Sequence, residues 1–453
     1  MRLIAVLALS LSVSAQQPGG LTLNTAVESA LRNYPSVQVT EQQLNAAGAA
    51  IGLARTAYLP RVDALAQANR ATRNNVFGLL LPQGTIPTIS GPVLGTNNFG
   101  SAWGSAAGVL ITWEPFDFGL RRANVAVAAS AQAQSAAAVR RTRFEVAVSA
   151  ADAFLTLVAA QETTGAAQAG LDRAKAILQI SSALVNAQLR AGADESRARV
   201  EVAAARNQVI RAEQAVETAR ANVERFVGGQ GCCLAVSAER LLESIPETAA
   251  VPPKVDKNPV LEEQGAVIEQ ARAQLRALER SYFPRFALQG SAYARGTGAE
   301  VDGRLLGGLH GLGPNTQNYA VGLTVTFPVM DYPAIQAREA AQAATVKAGQ
   351  ARAAQIASDL KAQWNSAAAT VEGARKLAAN APVLLEAARA ASVQETARYR
   401  AGLENFEQVA ESERLLTQAE IDARLARLAV WRGLLAIAAA AGDLQPFLLE
   451  AAR

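Results

Sequence analysis

The sequence predicts a mainly α-helical chain with a β-barrel portion, built as an internal tandem repeat of long antiparallel coiled-coil helices and four strands. Three observations carry this expectation. Residues 333–400 are an almost unbroken run of Ala, Gln, Arg and Glu with scattered larger apolar side chains. At ~1.5 Å per residue such a helix extends roughly 100 Å, far beyond the about three turns usual in compact domains. Apolar residues within it recur every seven positions, at Ala353, Leu360, Ala367 and Ala374 and again at Ala357, Trp364, Val371 and Ala378. That is a narrow, small-residue seam against which a second helix can pack closely. Finally, Asn33-Tyr34-Pro35 and Tyr58-Leu59-Pro60-Arg61 find counterparts in Asn258-Pro259 and Tyr282-Phe283-Pro284-Arg285; 259 − 35 and 284 − 60 both give 224. A shared offset over two motifs marks a duplicated plan.

Taken in order, Arg2, the apolar run Leu3 to Leu11 and Val13-Ser14-Ala15 read as a signal peptide over residues 1–15. Its apolar run is too short for an anchor, and no later run of 18 or more apolar residues offers a transmembrane helix. The first repeat covers residues 16–227. Thr25 with Glu28 reads as a capping box for a short helix ending near Asn33, and Pro35 restarts helix to about Ala57. A β-hairpin follows at about 60–114, with one strand from Arg61 to Arg70 and a Gly-, Pro- and Asn-rich loop from Leu79 to Asn98. In the other strand Trp103, Ala107, Val109, Ile111 and Trp113 share a face. A long helix at about 120–189 carries the stripe Phe144, Val148, Ala151, Leu155 and Val158. The return helix at about 194–227 steps by three and four without a miss from Val202 through Val209, Val216 and Val223 to Phe226.

Residues 228–257 form an irregular equatorial segment. Its adjacent Cys232 and Cys233, in a secreted chain, fit either a vicinal disulfide or two thiols, and neither suggests a metal site. The second repeat covers 258–441, with a hairpin at about 284–328 whose last strand puts Tyr319, Val321, Leu323, Val325 and Phe327 on one face. A long helix at about 333–399, a return helix at about 403–440 striped by Leu416, Ala419, Ala423, Ala426 and Val430, and a short tail at 442–453 complete it. Later landmarks keep order at smaller offsets: 331 − 117 gives 214 for the two aspartates after the hairpins, and 402 − 192 gives 210 for the glycines of the turns. Pro382 in one long helix, and Gly165 and Gly170 in the other, predict a bend or break before those turns.

The net charge of +4 is small, and basic and acidic residues interleave along helices as on solvated faces, which argues against nucleic acid. The single histidine, His310, sits in a Gly-rich loop; there is no phosphate-binding loop and no nucleophile beside a base, so no catalytic, cofactor or metal site is expected. Strands of this length suit a tilted transmembrane β-strand of about 9 to 11 residues. In lipid every backbone N–H and C=O must be paired, so four strands have to close with those of other copies. A periplasmic coiled-coil scaffold would explain the helices but not the repeated hairpin entrances.

These features together resemble the TolC-like outer membrane efflux protein family. The likeness rests on the tandem repeat, the Pro35 and Asn258-Pro259 starts and the Tyr-x-Pro-Arg entrances at Tyr58 and Tyr282. It rests also on the strand exits Trp113-Glu114-Pro115-Phe116-Asp117 and Phe327-Pro328-Val329-Met330-Asp331, and on the Arg-Ala-Gly turns. The resemblance implies a homotrimer with a twelve-stranded outer membrane barrel and a periplasmic α-helical tunnel, docked on a periplasmic adaptor and an inner membrane pump. By position, the adaptor-contacting helix tips are Arg190, Ala191, Gly192 and Ala193, and Arg400, Ala401, Gly402 and Leu403. Family members close the tunnel through a Tyr, an Arg and an Asp near the tip, with a ring of acidic residues. Tyr399 matches the tyrosine, but Glu404 stands where the arginine is expected and Gln408 at a ring position, with Glu411 one turn on. Any lock is then wired differently, through Arg190, Arg197, Arg199 or Arg414. The alternative for Glu404, Gln408 and Glu411 is that of ordinary solvated helix positions. Trp103, Trp113, Tyr319 and Phe327 are read as membrane-interface or lipid-facing aromatics.

Overall fold

The computed structural model describes residues 20–71, 100–228, 236–243, 245–246, 257–298, 300 and 304–452. The expected signal peptide, the Leu79 to Asn98 loop and the Cys232-Cys233 pair lie outside the described residues. The elements are α1 (Leu23–Asn33), α2 (Pro35–Thr56), β1 (Arg61–Ala71), β2 (Ala102–Phe116), α3 (Leu120–Asn186), α4 (Gly192–Val227), α5 (Glu239–Glu243), α6 (Pro259–Arg280), β3 (Arg285–Thr297), β4 (Thr316–Thr326), α7 (Tyr332–Arg400), α8 (Phe406–Ala441) and α9 (Gln445–Ala452). They fall into two compact units. One comprises the residues up to Glu41, Ala137–Glu263 and those from Ala353 onward; the other comprises Gln42–Ala136 and Gln264–Arg352.

In the first unit the heptad stripes are the core. Ala151, Leu155 and Val158 of α3, Val209, Val216, Val223 and Phe226 of α4, and Leu416, Ala419 and Val430 of α8 are all buried. The main cluster gathers α1, α3 and α8 around Phe154, Leu428 and Trp431, and α9 joins it through Phe447, whose ring stands edge-on to Trp431 at 6.0 Å. The tail therefore folds as a helix because it has an aromatic to bury. Within α3 a stretch of 18 residues is apolar enough, at mean hydropathy 1.4, to cross a membrane by composition, contrary to the expectation from uninterrupted apolar runs. Alanine supplies much of that apolarity, and Phe154, Leu155 and Leu157 on the same helix are fully buried in protein.

Local chemistry sets the helix ends. The cap of α1 lies one turn earlier than the Thr25–Glu28 reading: Thr22 is the N-cap, its Oγ1 accepting from the Thr25 N–H at 3.3 Å while its own N–H donates to Thr25 Oγ1 at 2.9 Å. The Asn of each repeat start has a specific job. Asn33 Nδ2 donates to the Val227 carbonyl at 2.8 Å, and Asn258 Nδ2 to the Ala440 carbonyl at 3.1 Å. Each bond satisfies a carbonyl at the end of a return helix, next to the left-handed Gly228 or Gly442.

Two further expectations need correction. The long helices do not break: α3 runs unbroken through Gly165 and Gly170, and α7 through Pro382. The glycines serve packing instead. A Cβ on Gly170 would lie 2.8 Å from Thr417 Oγ1, and one on Gly165 3.0 Å from an Arg424 nitrogen, so both let α8 approach α3. Pro382 follows buried Ala378 and Ala381, and tertiary contacts there outweigh a local cost of about 3 kcal/mol. The repeat register also changes in the turns. Gly402, at φ 80, terminates α7, but Gly192 is the first residue of α4; the position equivalent to Gly402 is Gln188, at φ 62. Both ends close in the same way, with Leu189 N–H to Leu184 O at 3.0 Å and Leu403 N–H to Arg398 O at 2.9 Å. Since 402 − 188 and 442 − 228 both give 214, the offset after the hairpins stays constant to the end of each return helix. The shortening is confined to the hairpin.

The second unit holds one antiparallel sheet in the order β1-β2-β3-β4. Each repeat supplies a hairpin, and β2 pairs with β3 to join them, Val109 opposite both Ala64 and Ala292. A register shift between Trp113 and Phe116 interrupts the pairing of β2 with β3, which resumes with Phe116 opposite Phe286.

Candidate functional site

The sheet has two unlike faces. Register places Val62, Val109, Ile111, Leu288, Val321 and Leu323 together on one side. The other carries Gln67, Thr112, Gln289, Ser291, Asn318 and Thr324. This alternation suits one face in lipid and one in water. Of the sequence-identified aromatics, Tyr319 on β4 is 86% exposed on the apolar side, and Phe327, one residue past β4, is 64% exposed. Trp113 shares that side and donates its indole N–H to the Tyr58 carbonyl at 3.0 Å, while half-buried Trp103 lies under the Arg70 guanidinium at 5.6 Å. Among the described residues the outer strands β1 and β4 are each paired along one edge only. An apolar sheet with two open edges is a template for further pairing.

Where β2 leads into α3, Asp117 organises the exit. Its carboxylate accepts from the Arg121 side chain at 2.8 Å, the Arg121 N–H at 2.7 Å and the Gly119 N–H at 3.1 Å. Burial alone would raise this carboxyl, but those donors outweigh it and hold Asp117 below the usual carboxylate range. Arg121 also reaches the Ala57 carbonyl at 3.2 Å and stacks over the Tyr58 ring at 5.0 Å, so the Tyr-x-Pro-Arg entrance and the Asp exit are tied together. In the second repeat Tyr282 does the tying. Its hydroxyl donates to Glu339 at 2.8 Å, and that bond pushes the phenol up to about 12.

The two helix turns come together in the first unit. Tyr399 is 1% exposed, and its hydroxyl is within 3.2 Å of Ser181 Oγ and 3.4 Å of the Asp194 carboxylate. Burial pushes its phenol above the ordinary value; the Ser181 bond acts against that rise and Asp194 with it. Arg190 lies over the Tyr399 ring at 4.7 Å and donates to the Tyr399 carbonyl at 3.1 Å and the Glu404 carbonyl at 2.5 Å. One arginine thus seals the α7–α8 turn from the α3–α4 side, and Ile177, Ala198, Phe406 and Val409 pack beneath. The carboxylate of Glu404 pairs with Arg398 at 3.0 Å. Gln408 is exposed, its backbone N–H capped by Asn405 at 3.1 Å, and Glu411 is exposed, 3.9 Å from Arg414. Ala191, Gly192, Ala193, Arg400, Ala401, Gly402 and Leu403 all lie exposed around these turns.

Of the other candidate arginines, Arg414 pairs with Glu201 on α4, Arg199 with Glu195 on its own helix, and Arg197 is exposed. Sequence reasoning missed Ser181 and Asp194, the partners of Tyr399, and Arg173 on α3, which meets Glu413 and Glu420 of α8. The signal for the last was present. Glu413, Thr417 and Glu420 are spaced by four and three, so they form a polar row beside the apolar one.

Comparison with known proteins follows this geometry. The family model described as outer membrane efflux protein matches residues 26–229 and 255–443. Several solved structures share the fold. A membrane protein from Pseudomonas aeruginosa is 19% identical, with 93% of this chain and 92% of that chain covered at a TM-score of 0.76. For the Campylobacter jejuni CmeC outer membrane channel the values are 15%, 98%, 94% and 0.73. For the open state of the Neisseria gonorrhoeae MtrE outer membrane channel they are 18%, 93%, 89% and 0.72. No curated protein matches the sequence.

Proposed function

The chain belongs to the outer membrane efflux protein family, and from that premise we propose that it is the exit duct of a tripartite efflux or type I secretion system. Membership makes it an efflux channel of the outer membrane with a periplasmic helical extension, and a transport protein rather than an enzyme. The finer reading is a homotrimer whose three four-stranded sheets close a twelve-stranded barrel. One observation carries it: the sheet has an apolar face and a polar face, and among the described residues both of its edges are open. A hydrocarbon environment tolerates no unpaired strand edge, so other copies must supply the missing neighbours. The helices then form a periplasmic tunnel that conducts substrates passively. Arg190, Ala191, Gly192 and Ala193, with Arg400, Ala401, Gly402 and Leu403, meet a periplasmic adaptor, which links the duct to an inner membrane transporter. Tyr399, Glu404, Gln408 and Glu411 form the periplasmic gate, Tyr399 by bracing the turn from within and exposed Gln408 and Glu411 by facing the pore.

Detergent extraction from outer membranes should yield a trimer that dissociates on heating and forms pores in planar bilayers. A soluble rod purified without detergent would sink the channel reading in favour of a scaffold. For the gate, Tyr399→Phe or Glu411→Ala should raise the conductance of the reconstituted trimer, and unchanged conductance in both would show that the turns are not held shut there.

A further inference from the structure

Between the apolar core around Trp431 and the small cluster at the helix turns, two polar contacts join α8 to α3: Glu162 with Arg424 at 3.0 Å and, nearer the turns, Arg173 with three side chains of α8. Arg173 donates from Nε to Glu413 at 2.9 Å, from Nη1 to Glu420 at 3.0 Å and from Nη2 to Thr417 Oγ1 at 2.9 Å. The Ser392 hydroxyl of α7 donates to the other oxygen of Glu413 at 2.5 Å, so a single guanidinium gathers three helices. Arg173, Glu413 and Glu420 are largely covered, at 25%, 15% and 14% side-chain exposure. The packing around them is open. A cavity of about 310 Å³ lies among α3, α4 and α8, another of about 330 Å³ among α3, α7 and α8, and Glu413 lines both. Gly170 removes the side chain that would otherwise wedge against Thr417.

We propose that Arg173 is a latch: the contact that holds α8, and α7 through Ser392, against α3 in the closed duct, and whose release lets α8 swing about its core-anchored half. The inference rests on the channel reading and adds to it a control point away from the turns. Three physical features support it. Charge-assisted hydrogen bonds are strong but directional, and a small shift of α8 takes them out of range and hands each partner to water, so the contact is either made or lost. Close-packed interiors resist such shifts, whereas cavities on two sides of Glu413 leave room for one. Farther along, α8 is fixed by buried Leu428, Trp431 and Leu435, which supply the pivot.

The test uses the full-length trimer in planar bilayers, with Cys232 and Cys233 replaced by Ser so that an added disulfide is unique. Arg173→Gln should raise resting conductance several-fold. The pair Gly170→Cys and Thr417→Cys should then reverse it, because a Cβ on Gly170 lies 3.5 Å from that of Thr417, within the roughly 3.5–4.5 Å that a disulfide requires. Oxidation in the Arg173→Gln background should restore the resting conductance, and a reductant should raise it again. Parent trimers that form no pores at all would sink the channel reading and leave no duct to latch. Pores whose conductance ignores Arg173→Gln, or a rise that the oxidised disulfide fails to reverse, overturn the latch alone. Should Arg173→Gln fail to assemble, Glu420→Gln, which keeps the cation and one carboxylate, carries the same expectation. Failure of both to assemble marks the cluster as a folding contact and overturns the latch as well.

Discussion

Helix α3 is held by two neighbours in two different ways. Against α4 it places Leu157 among Val216, Ala219 and Val223, and Ala167 and Leu171 among Val209 and Ala212. Against the middle stretch of α8, between the core around Trp431 and the cluster at the turns, it offers Glu162 to Arg424 at 3.0 Å, and Arg173 to Glu413 and Glu420. The first seam is non-directional and insensitive to salt, worth about 25 cal/mol for each Å² of apolar surface buried. The second is directional, and its partners pass to water once a small shift takes them out of range. A duct must keep its wall intact while letting part of it move. In the latch proposed above, α3 with α4 is the fixed stave, and α8 is the stave that is released.

The contrast breaks most easily at the apolar seam. Leu157 is fully buried, so Leu157→Ala should cost about 2–5 kcal/mol from lost transfer energy and the cavity left behind. Heat dissociation of the proposed trimer would report it as a lowered midpoint, equally large in low salt and in about 1 M salt. A loss well under 1 kcal/mol, or one that salt abolishes, would mean that the two seams are not different in kind. The turns sharpen the same comparison at a smaller scale. Gly402 and Gln188 hold equivalent left-handed positions, but only Gly402 lacks the Cβ that such a conformation penalises. Gly402→Ala should therefore destabilise the α7–α8 turn by about 1 kcal/mol, while Gln188→Gly should stabilise the α3–α4 turn by up to about that amount. Thermal midpoints shifting in opposite directions would place the strain in the fixed hairpin.

The periodic part of this design was legible from sequence because burial writes itself into spacing. Every heptad position of α4 from Val209 to Phe226 is buried, and Leu360, Ala367, Val371 and Ala374 are buried on α7. The tandem plan and the strand faces were legible for the same reason, since one face of each strand is apolar. What failed was inference from single residues. Pro382 and Gly170 read as a bend or break because local propensity disfavours helix there, yet neighbouring helices keep each helix continuous, and at Gly170 the missing side chain is what admits Thr417. Gly192 read as the counterpart of Gly402 because both follow Arg-Ala at a turn, while the chain uses Gln188 at the equivalent left-handed position. The closure around Tyr399 was half visible: the tyrosine and Arg190 stood out, but Ser181 and Asp194 reach it from helices more than 200 residues away in sequence, and no local pattern encodes that distance.

The smallest expected effect tests the weak side of the contrast most directly. Arg414 of α8 pairs with Glu201 of α4, Nε at 3.1 Å and Nη2 at 2.5 Å, and the pair is partly open to solvent, at 62% and 21% side-chain exposure. The Glu201 hydrogen bond raises the Arg414 guanidinium above its ordinary value, so the cationic side of the pair is held in its charged form. Salt should move the coupling. A double-mutant cycle of Arg414→Ala and Glu201→Ala, read from heat dissociation, should give a coupling of about 1 kcal/mol or less at about 0.05 M salt, falling toward zero at about 1 M. A coupling above about 2 kcal/mol that survives high salt would show that α8 is held to α4 as firmly as α3 is. In that case the moving stave would have to be sought elsewhere.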